Sequence, residues 1–229
     1  MTMRFLAETK WELSPEERHH LEVLRVREGE TFEILCADEI ATTRRTGDGY
    51  EILSTRPAVT DAHTITLYQG YPKGTKLDEI VEKSTELGVD AIVPVYMARS
   101  VVRPAKNEDK KRARRIEIAR SATKQSRADR IPEIRKAVDF ETALASAQGT
   151  ILAAYEDATE PLGGVLTQGV ESDIALWIGP EGGWEPHEIE RIRERGGHVF
   201  SLGRRILRTE TAGPATIAIL RYLEVNHAL

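Results

Sequence analysis

The sequence predicts an α/β protein whose larger part is a mostly parallel sheet with helices on both faces. From Thr64 onward, apolar strand-like runs alternate with runs of helical periodicity, and this alternation is typical of a parallel sheet. Residues 173–184 (DIALWIGPEGGW) and 199–213 (VFSLGRRILRTETAG) each pass from an apolar strand through a glycine turn into a helix. Residues 1–63 lack the alternation, so we predict two domains, 1–63 and 64–229.

The N-terminal domain is predicted to hold one helix among short strands. Ser14-Pro15-Glu16-Glu17 is typical of a helix start, with Ser14 as N-cap and proline in the first turn. Strand-like runs follow at 30–37, 39–46 and 50–59, and a Thr-Gly-Asp-Gly turn separates the last two as in a hairpin. Short strands with a single helix indicate a small β-barrel-like module that ends in a linker near residues 57–63.

The C-terminal domain is predicted to alternate strands and helices. Its strand candidates are 64–69, 90–97, 150–155, 173–178 and 198–202. Its helix candidates lie near 75–88, 108–127, 139–147, 158–169, 185–196 and 210–226. In the first of these helices, Leu77, Ile80, Val81, Ser84 and Leu87 form one stripe at helical spacing.

Composition bounds the class of protein. Of the 229 residues, 40% are hydrophobic and 30% charged, which fits a globular protein. No apolar run approaches the roughly 18 residues that cross a bilayer, and the N-terminus lacks the apolar core of a signal peptide. A single cysteine, Cys36, offers neither an internal disulfide nor a metal cluster. We therefore expect a cytoplasmic protein with no membrane segment and no metal.

Charge is distributed unevenly along the chain. The net charge is −5, yet residues 103–136 hold 13 Lys or Arg against 5 Asp or Glu. Such a basic region is either the solvated face of a helix or an electrostatic footprint for nucleic acid.

The two glycine turns are the strongest candidates for a ligand site. Open α/β sheets bind ligands at the carboxyl ends of their strands, and glycine lets the backbone approach a ligand closely. The turns are either one small-molecule site built from two loops or ordinary strand–helix connections. The sequence has no Walker A loop, no GxGxxG after the first α/β strand, no HExxH and no GxSxG.

Several stretches, taken together and in order, resemble one family. They are HLEVLRVREGE (20–30), KLDEIVEKSTELGV (76–89), RIPEI (130–134), IGPEGGW (178–184) and LGRRILRTETAGPA (202–215). The sequence resembles the ribosomal RNA small-subunit methyltransferase E family, which belongs to the SPOUT class and methylates N3 of a uridine in 16S ribosomal RNA. The resemblance covers essentially the whole chain.

The resemblance implies a fold and a cofactor. It implies an N-terminal PUA-like RNA-binding barrel, a C-terminal SPOUT-type parallel sheet with a trefoil knot, and a homodimer. It also implies S-adenosylmethionine as cofactor, held by loops 152–156, 178–183 and 201–208, with no metal because the sulfonium is already an activated leaving group. By position, the cofactor-binding residues are Leu152, Tyr155, Ile178, Gly179, Pro180, Glu181, Gly182, Gly183, Ser201, Leu202, Gly203, Arg205, Ile206 and Leu207.

The chemistry of the reaction suggests roles for the second loop. Leu202, Ile206 and Leu207 suit the walls of an adenine pocket. Uracil N3 carries a proton, so we expect Arg208 to stabilise negative charge on the uracil oxygens. Glu210 is a candidate general base, an orienting partner of Arg208, or simply a helix N-terminal carboxylate. Arg204 and Arg205 face RNA phosphate, the cofactor carboxylate or only solvent.

Ribosomal RNA is the partner that the basic region anticipates. We expect Arg103, Arg127, Arg130 and Arg135 to contact phosphates, with Arg4 and Arg25 from the N-terminal domain. The family pattern before RxPE[IV] reads EQSGRN, whereas residues 124–129 read KQSRAD, so that the positive charge is shifted by one position.

Two other functions compete with this interpretation. One is a non-catalytic RNA-binding or ribosome-assembly protein that keeps the fold, which the intact glycine loops disfavour. The other is a SPOUT enzyme acting on tRNA or on a ribose 2′-hydroxyl, which the full-length resemblance disfavours.

Overall fold

A computed structural model describes residues 2–104, 106–167, 169–226 and 229. The chain divides into two compact units. The first comprises residues 1–60 together with 120–131, and the second comprises 61–119 together with 132–229. Residues 120–131 thus group with the N-terminal unit, a placement that no local sequence pattern predicted. The assignment of residues 1–63 to an RNA-binding domain stays a prediction.

The first unit is a five-stranded sheet with one helix. Its strands are β1 (Met3–Thr9), β2 (Glu12–Leu13), β3 (Thr31–Cys36), β4 (Glu39–Thr46) and β5 (Gly49–Pro57), and its helix is α1 (Pro15–Val23). The strand order is β2-β1-β3-β4-β5, with β1 and β3 parallel and the other pairs antiparallel. Among the described residues the first and last strands of this order, β2 and β5, do not pair with each other, so the predicted PUA-like barrel is not confirmed.

The packing of the first unit follows from its sequence. Ser14 caps α1 as predicted, because its side chain accepts a hydrogen bond from the Glu17 backbone N–H. Phe5, Leu21 and Phe32 are nearly completely buried and join the helix to the sheet. Phe5 and Phe32 meet edge to face with ring centroids 5.3 Å apart, a favourable aromatic geometry.

The second unit is a seven-stranded parallel sheet. Its strands are β6 (Thr64–Gly70), β7 (Ala91–Tyr96), β8 (Glu133–Ile134), β9 (Val138–Asp139), β10 (Thr150–Ala154), β11 (Asp173–Ile178) and β12 (His198–Phe200). The order is β12-β10-β11-β6-β7-β8, and β9 also pairs with β7. Every pairing in this sheet is parallel, which confirms the predicted α/β class.

Helices cover both faces of this sheet. They are α2 (Lys76–Glu86), α4 (Phe140–Ser146), α5 (Leu162–Leu166), α6 (Pro186–Glu194) and α7 (Thr209–Val225), with α3 (Glu108–Ser126) beginning in this unit. Alternate strand residues feed separate cores. Leu67 and Leu176 pack with α2, α5 and α7, whereas Tyr68 and Trp177 pack with α4 and α6. No helix in the described part of the chain is long and apolar enough to cross a membrane.

The elements differ from expectation where local signals are weak. Strands β1, β2, β8 and β9 were not predicted; three of them have two residues each, too few to show a period. Helix α5 covers only Leu162–Leu166 rather than 158–169. It starts after Pro161, which has extended backbone angles, and two glycines lie inside it, which weaken a helix.

Candidate active site

The carboxyl ends of four neighbouring strands of the second unit open into one cleft. β6, β10, β11 and β12 end at Gly70, Ala154, Ile178 and Phe200, and the loops that follow them enclose about 440 Å³. The lining residues are Lys73, Lys76, Ala154, Tyr155, Glu156, Ile178, Gly179, Pro180, Glu181, Gly183, Trp184, Ser201, Leu202, Gly203, Arg205, Ile206, Leu207, Arg208, Thr209, Glu210 and Ala212. Such a volume is that of a small-molecule site.

The first glycine turn is folded tightly around Trp184. The Trp184 indole N–H donates to the Ala154 carbonyl at 2.9 Å. A side-chain Cβ at Gly179 would stand 2.9 Å from the indole nitrogen, too close for any residue but glycine. Gly183 has a φ of +72°, in the left-handed region that glycine adopts without strain. The turn therefore needs its glycines for its own geometry.

The end of β6 supports the same turn. A Cβ at Gly70 would lie 2.5 Å from the Pro180 nitrogen and 2.8 Å from the Gly179 carbonyl carbon. The two backbones therefore pass in direct contact, and this contact fixes the height of the turn above the sheet.

The second turn leaves β12 and runs to α7. The Ser201 N–H donates to the Glu160 carbonyl at 2.7 Å, and Gly203 takes a φ of +105°. The following side chains are open to solvent; Ile206 is 84% exposed. The loop is thus anchored at its start and exposes its middle.

Thr209 joins the two turns. Its hydroxyl donates to the Gly179 carbonyl at 2.7 Å and accepts a hydrogen bond from Gln69 Nε2 at 2.8 Å. Gln69 and Thr209 are both buried, so water does not compete for these bonds. One hydroxyl therefore holds the first residue of α7 against both the 178–183 turn and β6.

Lys76 lies at the centre of the charges in the cleft. Its Nζ is 3.1 Å from Glu210 Oε2 and 3.4 Å from Glu181 Oε1. Arg208 is farther from Glu210, at 3.9 Å, and its side chain is 83% exposed. Burial raises the pKa of Glu210, but a backbone N–H bond, the Lys76 ammonium and the Arg208 charge outweigh it, so the pKa lies below its usual value. Glu210 is therefore an ionised, paired carboxylate.

The chain is similar in sequence to known RNA methyltransferases. The RNA methyltransferase domain family matches residues 60–221. Ribosomal RNA small subunit methyltransferase E of Bacillus subtilis is 31% identical, over 92% of this chain and 89% of that protein.

The chain belongs to the ribosomal RNA small subunit methyltransferase E family.

Solved structures agree with this assignment. The methyltransferase E of Neisseria gonorrhoeae bound to S-adenosylmethionine superposes with a TM-score of 0.86 and 31% identity, over 97% of this chain and 98% of that one. A Legionella pneumophila protein in complex with the same cofactor has a TM-score of 0.84 and 28% identity, over 97% and 98% of the two chains. The fold of the second unit is therefore that of the methyltransferase E family.

Most of the predicted cofactor and catalytic residues meet in the cleft. Tyr155, Ile178, Gly179, Pro180, Glu181, Gly183, Ser201, Leu202, Gly203, Arg205, Ile206, Leu207, Arg208 and Glu210 all line it. Two do not. Leu152 is completely buried in the core, and Gly182 stands at the tip of the turn, where a Cβ would meet Arg99. Arg204 is exposed and does not line the cleft.

Sequence reasoning missed several lining residues. They are Lys73, Lys76, Trp184, Thr209 and Ala212, whereas Ala154 and Glu156 belong to the predicted loop 152–156 without having been named individually. Lys76, Trp184 and Thr209 fall inside stretches that carry the resemblance to the methyltransferase E family, but no spacing rule assigned them a role. Among the described residues, no group of three His, Cys, Asp or Glu is arranged to hold a metal ion.

The predicted RNA-binding arginines separate into two groups. The exposed group comprises Arg25, Arg103, Arg127, Arg130 and Arg135. Two of its members also form ion pairs, Arg130 with Asp38 at 3.1 Å and Arg135 with Glu133 at 2.7 Å. Arg4 is only 5% exposed, and its guanidinium bonds Glu33 and the turn at 127–129. The expectation of a phosphate contact at Arg4 is therefore corrected, because all of that charge is used inside the first unit.

Proposed function

We propose that this protein transfers a methyl group from S-adenosylmethionine to N3 of a uridine in 16S ribosomal RNA. One observation carries the proposal: the two glycine turns, which follow strands β11 and β12, form one cleft in a chain of the methyltransferase E family. Relatives of this family have been solved with S-adenosylmethionine bound. The target atom, N3 of a uridine, comes from the family resemblance.

The cleft suits this cofactor. Ile178, Leu202 and Leu207 offer apolar walls for an adenine ring, and Ser201 and the backbone of Gly179 and Gly183 line the cleft beside them. Apolar walls with a few placed polar groups are typical of cofactor sites. When bound, S-adenosylmethionine supplies an activated methyl group, which uridine N3 takes up in exchange for its proton.

Arg208 is the proposed catalytic residue. It lines the cleft with a side chain that is 83% exposed, so its guanidinium is available to a substrate. Loss of the N3 proton leaves negative charge on the two neighbouring carbonyl oxygens of uracil. A guanidinium fixed beside those oxygens stabilises that charge as it develops.

Glu210 is proposed as a positioning residue rather than the general base. A base needs a free carboxylate with a pKa near the working pH, whereas Glu210 is paired with Lys76 and has a lowered pKa. It lies in the first turn of α7, where a carboxylate stabilises the helix start. Glu210 thereby fixes the helix start that carries Arg208, and the N3 proton passes to solvent.

A trefoil knot of the SPOUT class is part of the proposal. β12 pairs with β10, whereas Thr209 already contacts Gly179 at the end of β11 and Gln69 in β6. Residues 201–208 therefore cross the ends of two strands, which supports threading of the chain there.

The partners of the enzyme are proposed on similar grounds. Ile219, Tyr222 and Val225 are 41%, 68% and 77% exposed on α7 and recur every three residues. This apolar stripe supports a homodimer, which would bury it. The exposed Arg25, Arg103, Arg127 and Arg130, with the open sheet of a PUA-like module, support contact with ribosomal RNA. The proposed ribosomal substrate supports a cytoplasmic location.

Two measurements test the proposal. Calorimetry with S-adenosylmethionine should show binding to the folded protein, and its absence would remove the enzyme function. Small ribosomal subunits from a strain lacking the enzyme should then be incubated with the protein and S-adenosylmethionine. They should gain one methyl group at a uridine N3, identified by mass mapping of the RNA.

The Arg208→Ala variant tests the catalytic assignment. It should bind cofactor normally but methylate about 10²- to 10³-fold more slowly, the usual loss for a charge-stabilising donor. Arg204→Ala is the matched control, because Arg204 is exposed on the same loop but outside the cleft. Equal activity of the two variants would remove Arg208 from the mechanism.

A further inference from the structure

Lys76 occupies a position that the proposed reaction does not yet use. It is the first residue of α2, and its ammonium reaches carboxylates from two different loops. Glu181 belongs to the first glycine turn and Glu210 to the start of α7, and Lys76 Nζ lies 3.4 and 3.1 Å from them. A single cation therefore links the turn that holds cofactor to the helix start that follows Arg208.

Glu210 has two cations within reach, a close one that is hydrogen-bonded to it and a more distant one. Oε2 accepts a hydrogen bond from Lys76, whereas Oε1 lies 3.9 Å from Arg208 Nη1. The Lys76 and Glu210 side chains are 28% and 12% exposed, but Arg208 is 83% exposed. Ion pairs exposed to water are weak, so the less exposed pair with Lys76 prevails.

The position of Lys76 is itself fixed by a brace on α2. Asp78, two residues farther on, lies 3.3 Å from Arg115 Nε and 3.0 Å from Arg114 Nη2. Arg115 is 4% exposed and also donates to the Tyr71 hydroxyl at 2.7 Å. The first turn of α2 is thereby held against α3 and the end of β6, and Lys76 starts from a rigid base.

We propose that Lys76 is a positioning residue for methyl transfer, which holds Glu210 so that the Arg208 guanidinium stays free for the substrate. This inference rests on the proposed function. Without the ammonium, Glu210 is left with Arg208 as its nearest cation. A guanidinium and a carboxylate form a strong bidentate pair, which would turn Arg208 away from the uracil oxygens.

The test is a double-mutant cycle. Lys76→Met should lower kcat by about 10- to 100-fold, less than outright removal of a charge-stabilising donor, while the Kd for S-adenosylmethionine changes little. Adding Glu210→Gln should restore part of that loss, because the neutral amide no longer captures Arg208, although the start of α7 loses its stabilising carboxylate. If Lys76 had a purely structural role, this second substitution would not restore kcat.

The control and a second readout separate the alternatives. Lys83→Met removes another ion pair of the same helix, with Glu79 at 2.6 Å, and should leave kcat unchanged. A crystal structure of the Lys76→Met protein should show Arg208 closing from 3.9 Å to a direct pair with Glu210. An unchanged Arg208 position, a kcat equal to wild type, or no rescue by Glu210→Gln would overturn the inference.

Failure of the inference is distinguishable from failure of the proposed function. Wild-type protein that neither binds S-adenosylmethionine nor methylates ribosomal RNA refutes the function itself. Active wild-type protein whose Lys76→Met variant loses cofactor affinity rather than kcat refutes only the role given to Lys76, since that result makes it a direct cofactor contact.

Discussion

Arg4 and Asp129 are 125 positions apart, yet Arg4 Nη1 lies 3.1 Å from an Asp129 carboxylate oxygen. The same guanidinium donates to the Arg127 and Ala128 carbonyls at 2.5 and 2.6 Å and to Glu33 at 2.8 Å. Strand β1 is therefore bound to the turn that follows α3. This joint explains why residues 120–131 belong to the first unit.

Asp129 makes the stability of this unit depend on acid. Burial raises its pKa, but hydrogen bonds from Arg56 and the Val59 N–H, with the charges of Arg56 and Arg4, lower it to about 2 from 3.8. A carboxyl group whose pKa is lowered in the folded state stabilises the fold at pH values above its unfolded-state pKa. This stabilisation is lost as the pH falls through the folded-state pKa. Asp129→Asn should therefore cost roughly 1–2 kcal/mol in free energy of unfolding at pH 7, by this linkage.

Urea unfolding at several pH values checks this prediction. The difference between wild type and Asp129→Asn should shrink between pH 4 and pH 2, over the range set by the two pKa values. Asp38→Asn is the control, because that carboxylate is 75% exposed in its pair with Arg130 and exposed pairs contribute little. A pH-independent difference at Asp129 would contradict the ionic explanation.

Arg127 carries a backbone cost that glycine would remove. It follows α3 with a φ of +57°, a conformation that L side chains adopt at a cost of about 1 kcal/mol. Arg127→Gly should raise the free energy of unfolding by roughly 0.5–1 kcal/mol. Because Arg127 is exposed and basic, the same change should weaken RNA binding and flatten its salt dependence.

Arg127→Ala is the matched control for this substitution. It loses the charge as glycine does but keeps a side chain in the left-handed region. We expect equal loss of RNA affinity in both variants, with the gain in stability confined to glycine. A stabilised alanine variant would show that charge repulsion, not backbone strain, is relieved.

The sequence predicted those parts of the site that have a local signal. A strand that ends in glycines predicts a loop at the edge of a parallel sheet, and this pattern located Gly179, Gly183 and Gly203. The resemblance supplied the cofactor and the function. It also assigned Leu152 to the cofactor site, but in the structure Leu152 is a fully buried core residue of β10.

Residues whose role depends on distant partners could not be predicted. Gln69 and Thr209 are 140 positions apart and bond only because β6 and α7 pack together. Lys76 reads as the polar start of an amphipathic helix, and its pairing with Glu210 spans 134 positions. Arg4 reads as an exposed basic residue for the same reason, because the carboxylates and carbonyls that surround its guanidinium are distant in sequence.

Thr209→Val should lower the stability of the cleft and its affinity for cofactor, while the volume of the side chain is kept. Valine keeps the volume of threonine but removes the hydroxyl that joins Gln69 to the Gly179 carbonyl. Two buried polar groups lose a partner, at a cost of about 1–3 kcal/mol each when none replaces it. We expect a lower free energy of unfolding in urea and a weaker Kd for S-adenosylmethionine by calorimetry. Thr211→Val, at an exposed position of the same helix turn, should change neither quantity, and an equal effect of both variants would refute the role of the link.

Gly70→Ala tests the contact between β6 and the first glycine turn. The new Cβ would stand 2.5 Å from the Pro180 nitrogen, so one backbone must move, and the turn is the element free to move because β6 is paired on both sides. Overpacking of this kind costs about 1–3 kcal/mol. We expect the binding free energy of S-adenosylmethionine, calculated from its Kd, to weaken by at least as much as the free energy of unfolding falls. Gly163→Ala is the control, because a Cβ at Gly163 meets nothing within 4 Å and alanine favours its helix. Cofactor affinity that survives Gly70→Ala intact would show that the 178–183 turn does not hold the cofactor.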